Sequence, residues 1–265
     1  MIKAKESNNH KEWCEAVSQD LQQIAVLHDR EASEELISAL REVKFPYNLG
    51  FSIASEKSTD SDQFLLAQQF MRDALQGLPK QIDQQTLDTL AVDYADIYLN
   101  HSLHASPFES VWLDEDHLIQ QEPMFKIRNW YKRYGLASSD WRVRSDDHLV
   151  LQLQFIAWLI EPESLSSEAI PLQNRLKDAA KFMDEHLLLW LADFSNLVAQ
   201  RCETEFYASA VVLTHAYIDQ LRDVLAEVSG QARPTAEESA EIKLKASQTV
   251  VEEPVSFMPG VAESW

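Results

Sequence analysis

The sequence predicts an all-α protein, a single-domain bundle of about eight helices around one buried central helix at about 146–160, and three observations carry that expectation. Only five of the 265 residues are glycine, too few for the tight turns that sheets and hairpins need. Apolar residues recur at helical spacing along most of the chain, and strand-like alternation is missing. The stretch SDDHLVLQLQFIAWLI, from Ser145 to Ile160, is apolar almost all the way round a helix: Leu149, Leu153, Ile156 and Ile160 form one stripe, and Leu151, Phe155, Trp158 and Leu159 fill its flanks. A helix without a wet face has to be enclosed by others. Ser145 or Asp146 is expected to cap its start, with two carboxylates at the positive end of the helix dipole, and Pro162 to stop it.

Ahead of that element the chain reads as five amphipathic helices. The first, from about 11 to 29, turns Trp13, Ala16, Val17, Leu21, Ile24 and Ala25 inward. The second, 33 to 43, starts on Ser33 as its cap and buries Leu36, Ile37 and Leu40, before Pro46 and Gly50 break the pattern. A third, from about 60 to 76, carries Phe64, Ala67, Phe70, Met71, Ala74 and Leu75, and Gly77 with Pro79 ends it. Leu87, Leu90, Ala91, Tyr94, Ile97 and Tyr98 mark the fourth, which leads into the loop HSLHASPFESVWLDEDH, where Pro107 forces an extended path. The fifth holds Met124, Ile127, Trp130, Tyr131 and Tyr134, with Gly135 placed to form a left-handed cap.

Beyond the buried helix, EPESLSSEAIP at 161–171 reads as an exposed hinge, of the kind that lets protomers exchange an element. Ala179, Met183, His186, Leu187, Trp190, Phe194, Leu197 and Val198 then describe one long helix, and Tyr207, Val211, His215, Ile218, Leu221 and Leu225 a last one from about 203 to 228. The helical domain is thus expected at 11–229. After Gly230 the apolar period disappears, and six acids against three bases, with Pro234, Pro254 and Pro259, make 230–265 an acidic, mostly flexible tail.

A formal net charge of −20 excludes a nucleic-acid backbone as partner and favours basic segments instead. Cys14 and Cys202 are isolated, with neither metal spacing nor a disulfide framework. The start, MIKAKESNNHKEW, has no apolar signal core, and no run approaches the ~18 apolar residues of a membrane span, so a soluble cytoplasmic protein without membrane insertion is expected.

No glycine-rich phosphate loop, HExxH, CxxC or nucleophile elbow is present, so neither a cofactor nor a metal is expected. Asp146, Asp147 and His148 have two readings: a capping cluster, or an acceptor and a titratable imidazole offered to a bound group. Asp114-Glu115-Asp116-His117 reads as a solvated loop, since four consecutive residues do not easily converge on one ion. His186 lies on an apolar stripe, as satisfied core histidines do, and Phe108 and Trp112 either stack on a ligand or cover the core.

Taken in order, SPFESVWLD (106–114), KRYGL (132–136), DDHLVLQLQFIAWL (146–159) and DEHLLLWLADF (184–194) resemble the TorD/DmsD/NarJ family of cytoplasmic redox-enzyme maturation chaperones. The resemblance covers about 85–225. It implies an all-helical, non-enzymatic protein of anaerobic respiration that binds the twin-arginine leader, and often the body, of a molybdopterin oxidoreductase precursor. Such a protein holds its client for cofactor insertion before export, as a monomer or a domain-swapped dimer. It further implies Asp147 and His148, beside Asp146, as the leader-binding pair, Trp112 and Phe108 as loop contacts, and His186 with Trp190 as the second-half signature. Arg144-Ser145 stands where the family has Glu-Pro, and the acidic tail is longer than usual. Residue types alone leave two other readings: a helical metal-dependent hydrolase built on Asp146, Asp147 and His148, or a non-catalytic structural adaptor.

Overall fold

Helices form along most of the stretches with helical apolar spacing, and the computed structural model describes residues 2–49, 61–100, 102–139, 144–162 and 170–247, with side chains from 10 in the first helix and from 63 in the third. Among these described residues there is no strand, and eleven α-helices follow one another. They are α1 (Ile2–Asp29), α2 (Glu34–Glu42), α3 (Ser61–Gly77), α4 (Gln84–Tyr94), α5 (Glu109–Leu113), α6 (Glu122–Arg133), α7 (Leu149–Ile160), α8 (Leu172–Glu185), α9 (Leu191–Arg201), α10 (Glu205–Ser229) and α11 (Ala236–Ser247). A π-helical turn, Ala95–Leu99, prolongs α4. The fold is all-α, as expected, and the excess over eight helices comes from the short α5, the division of α8 from α9, and α11.

Local chemistry sets several boundaries. The Ser33 hydroxyl accepts from the Leu36 amide at 3.2 Å and starts α2. Gly135 follows α6 at φ +69° and Gly230 closes α10 at φ +73°, left-handed positions where a side chain would be strained.

Helix α7 lies between α1 and α8. Leu149, Leu153, Ile156 and Ile160 are completely buried. A narrow wet edge remains at Gln154 and the half-buried Trp158, whereas Gln152, polar in sequence, is fully buried. Neither Ser145 nor Asp146 caps this helix: His148 is the N-cap, its Nδ1 accepting from the Val150 amide at 3.1 Å. At the other end Arg175 takes over from Pro162, donating to the carbonyls of Trp158, Leu159, Glu161 and Pro162.

The long helix expected from Ala179 to Val198 is broken. Its path stops at His186 (φ −132°, ψ −87°), a 3-10 turn covers Leu187–Leu189, and α9 resumes at Leu191. The stretch after Gly230 also departs from the expected flexible tail, because 236–247 form α11, packed on α5, α6 and α8. Most of the expected hinge, 163–169, and the last stretch, 248–265, lie outside the described residues.

Helix α10 is a second pillar, packed on α3, α8 and α9 and buried through Tyr207, Val211, Tyr217, Leu221 and others. His28 ties α1 to it: Nε2 sits 2.7 Å from the Thr214 hydroxyl, and Nδ1 sits 2.6 Å from Tyr98 Oη. Burial pushes the His28 ring from its ordinary 6.5 down to about 3. The folded ring therefore stays neutral while the unfolded one takes up a proton below pH 6.5, so His28 contributes stability that is lost as pH falls from 6.5 towards 3. In denaturant titrations from pH 6 to 4.5, the unfolding free energy is expected to drop with a slope of up to about 1.4 kcal/mol per pH unit from this group. His28→Leu should flatten that slope; equal slopes in both proteins would assign the acid loss to other groups.

Candidate functional site

Two extended segments meet where the loop before α5 crosses the entrance of α7. Phe108 and His148 form an isolated antiparallel bridge, with the Leu149 amide donating to the Pro107 carbonyl at 2.8 Å and the Glu109 amide to the Asp147 carbonyl at 3.2 Å. The Asp147 carboxylate accepts from the Ser110 amide at 2.9 Å, so it caps α5 across the junction rather than its own helix. Asp146 turns the other way, to Arg128 Nε and the Ser138 hydroxyl, each at 2.5 Å. Tyr131 Oη donates to its carbonyl at 2.9 Å.

The three adjacent residues thus serve three different partners, and all are buried, Asp147 completely. Such divergence does not suit the metal-dependent hydrolase. Among the described residues no group of three His, Cys, Asp or Glu side chains is placed to hold a metal.

Behind the junction lies an acid–histidine pair. Glu109 Oε1 is 2.8 Å from His186 Nδ1, and its Oε2 accepts from Gln152 Nε2 at 3.1 Å; the same Nε2 donates to the Asp147 carbonyl at 2.9 Å. Glu109 is completely buried, and burial pushes its carboxyl up while His186 pulls it down. The break at His186 is what lets this ring leave the α8 stripe and reach Glu109, 77 positions earlier. Phe108 lies edge-on to the His148 ring at 4.9 Å. Trp190 is fully buried against Phe194, with ring centroids 5.6 Å apart.

Outside this rigid root the surface is apolar. A groove of about 590 Å³ is lined by His104, Ser106, Val111, Trp112, His117, Leu118 and Ile119. Leu118 is 55% and Ile119 46% exposed. Trp112 is held by its indole N–H, which donates to the Ser106 carbonyl at 2.8 Å. Asp114, Glu115 and Asp116 project from the same loop without converging, and His117 Nδ1 lies 2.8 Å from the Val111 carbonyl.

Of the residues singled out in sequence, Phe108, Asp147, His148 and His186 come together as one buried cluster, Asp146 and Trp190 flank it, and Trp112 reaches the groove together with His117 of the solvated loop. Sequence reasoning passed over Glu109, Gln152, Leu118 and Ile119. An acid inside SPFESVW and one glutamine on an apolar helix face are the signals that pointed to the first two.

Residues 65–196 match the family model described as nitrate reductase delta subunit, a span from α3 to α9 that contains this cluster and the groove. The chain is 32% identical over 146 residues to the chaperone protein TorD of Vibrio vulnificus, covering 55% of this chain and 67% of the relative. It is 28% identical over 157 residues to that of Vibrio cholerae serotype O1, covering 59% and 70%. Against that of Aliivibrio fischeri the identity is 25% over 130 residues, covering 49% and 60%.

Replacing Asp147 by Ala strips the cap from α5 and leaves the Ser110 amide unpaired in the interior. The expected cost is about 1–3 kcal/mol in a thermal or urea melt. An Asp147→Ala melt superimposable on the wild type would show that this carboxylate faces water.

Proposed function

Since the chain belongs to the TorD family of chaperones, we propose that it binds the twin-arginine leader of a molybdopterin oxidoreductase precursor in the cytoplasm, holding the client for cofactor insertion before export. The relatives share the name of a chaperone, and the chain is a chaperone and not an enzyme. What supports the finer reading is the groove beside Trp112. A twin-arginine leader is a basic pair followed by an apolar run; Val111, Trp112, Leu118 and Ile119 offer an apolar bed, with Asp114, Glu115 and Asp116 next to it on the same loop. The formal charge of −20 adds long-range attraction for such a segment.

In this reading Asp146, Asp147, His148 and His186 do not touch the leader in the conformation described. They act by fixing the start of α5, the short helix that carries Trp112, and Phe108 and Trp190 support it from inside. Removing them weakens binding through the loop's position, whereas removing the exposed apolar residues weakens it directly.

The experiment that separates these roles uses a fluorescent synthetic peptide carrying two consecutive arginines and an apolar run. Leu118→Ser/Ile119→Ser is expected to weaken its binding about tenfold in an anisotropy titration, since the two half-exposed side chains together lose transfer energy of about 1.4 kcal/mol. The melting temperature should stay near the wild-type value, because both side chains are exposed. Undiminished affinity in the double variant would remove the groove from the binding reaction.

A further inference from the structure

We propose that α11 is the resident occupant of a second docking surface: the seat formed by α5, α6, the end of α8 and the Leu187–Leu189 turn fits a basic, apolar segment, and residues 242–246 fill it until the client displaces them. This inference rests on the reading of the chain as a leader-binding chaperone. The seated half of α11 reads Ile242-Lys243-Leu244-Lys245-Ala246, and both lysines of the helix lie in it, whereas Glu237, Glu238 and Glu241 precede it. Ile242 and Ala246, one turn apart, pack with Leu113, Leu189 and Trp112. Lys243 pairs with Asp193 of α9 at 3.5 Å, and Lys126 Nζ donates to the carbonyls of Lys245 and Ala246, each at 3.0 Å. The seat thus has an apolar centre, an acid, Asp193, at one edge and a base, Lys126, on the last carbonyls of the helix, and the segment it holds sets lysines among apolar residues, the chemistry proposed for the client.

The fit is loose. Ala246 alone is buried among the 12 residues of α11, and Leu244 is 60% exposed. An open pocket of about 360 Å³ remains where Ile242, Lys245 and Ala246 meet Lys126, Trp130, Glu185 and His186, room for larger side chains than α11 supplies. Trp112 belongs to both surfaces, lining the groove of Leu118 and Ile119 and packing against the seat, so the two are continuous.

The tether, by contrast, is firm. Arg222, paired with Asp184 through both its Nε and Nη2 at 2.8 Å, also donates to the carbonyls of Gln231 and Ala232. Arg233 pairs with Asp219 and Asp223. A displaced α11 would therefore stay attached next to its seat. The span matched by the family model ends at 196, well before this device.

The test uses the full chain and the same arginine-pair peptide. Ile242→Gln/Ala246→Gln unseats α11 without adding charge; if α11 is seated roughly nine-tenths of the time, the peptide should bind about tenfold more tightly than to the wild type. Saturating wild-type protein with peptide should also speed amide hydrogen exchange across 236–247 and leave 149–160 unchanged. Equal or weaker affinity in the variant, with exchange across 236–247 unaltered by peptide, overturns the inference and leaves the leader reading standing. A peptide that binds neither protein overturns the leader reading and this inference with it.

Discussion

A helix buried at both ends cannot hand its end groups to water, and most of the arrangement around α7 follows from that constraint. Its first amides are all accounted for inside the protein. Leu149 donates to Pro107, Val150 to the His148 ring, and Leu151 and Gln152 to the His148 carbonyl. Its last carbonyls converge on Arg175, whose positive charge also suits the negative end of the helix dipole. One end therefore requires the loop before α5 and the other requires α8. The buried helix fixes the position of both.

The loop's attachment has its own cost. Glu109 is a carboxyl removed from water, and such a group is tolerated only with partners around it. Gln152 and His186 supply them, one from α7 and one from the break between α8 and α9. Interrupting a helix forfeits backbone hydrogen bonds, and here the lost geometry is exchanged for an imidazole brought to within 2.8 Å of the carboxylate. Three elements far apart in sequence are thereby joined behind a loop whose outer face, Leu118 and Ile119, remains open. The root is stiff and the rim is bare, which is the distribution a peptide-binding surface needs.

The sequence made the central helix, the Ser33 cap, the left-handed glycine after α6 and the helix spans legible, because each depends on spacing or on partners three or four residues away. The break at His186 was hidden, since the stripe from Ala179 to Val198 keeps helical period through it and its cause, Glu109, lies 77 positions off. Arg175 as the cap of α7 was hidden for the same reason. The DDH signature was visible in sequence, yet its orientation was not: whether Asp147 faces water or Ser110 depends on the path of a remote loop. Helix α11 escaped because its composition is charged and its amphipathicity weak; only docking shows which of its residues matter.

With Ala246 its one buried residue, α11 depends on its seat to stay folded. Twelve residues form at best a marginal helix alone in water, so its helicity and its docking are one coupled event. The stabilisation available comes from a few apolar contacts and from lysine interactions in solvent-exposed settings, where an ion pair is worth about 0–1 kcal/mol. Asp193 and Lys243 are both largely exposed. An α10-like element, with Tyr207, Val211, Tyr217 and Leu221 completely buried, has no such freedom. The contrast places α11 at the low end of the stability range within this fold, where a competing segment with larger apolar side chains can shift the balance without disturbing α7 or the Glu109–His186 pair beneath it.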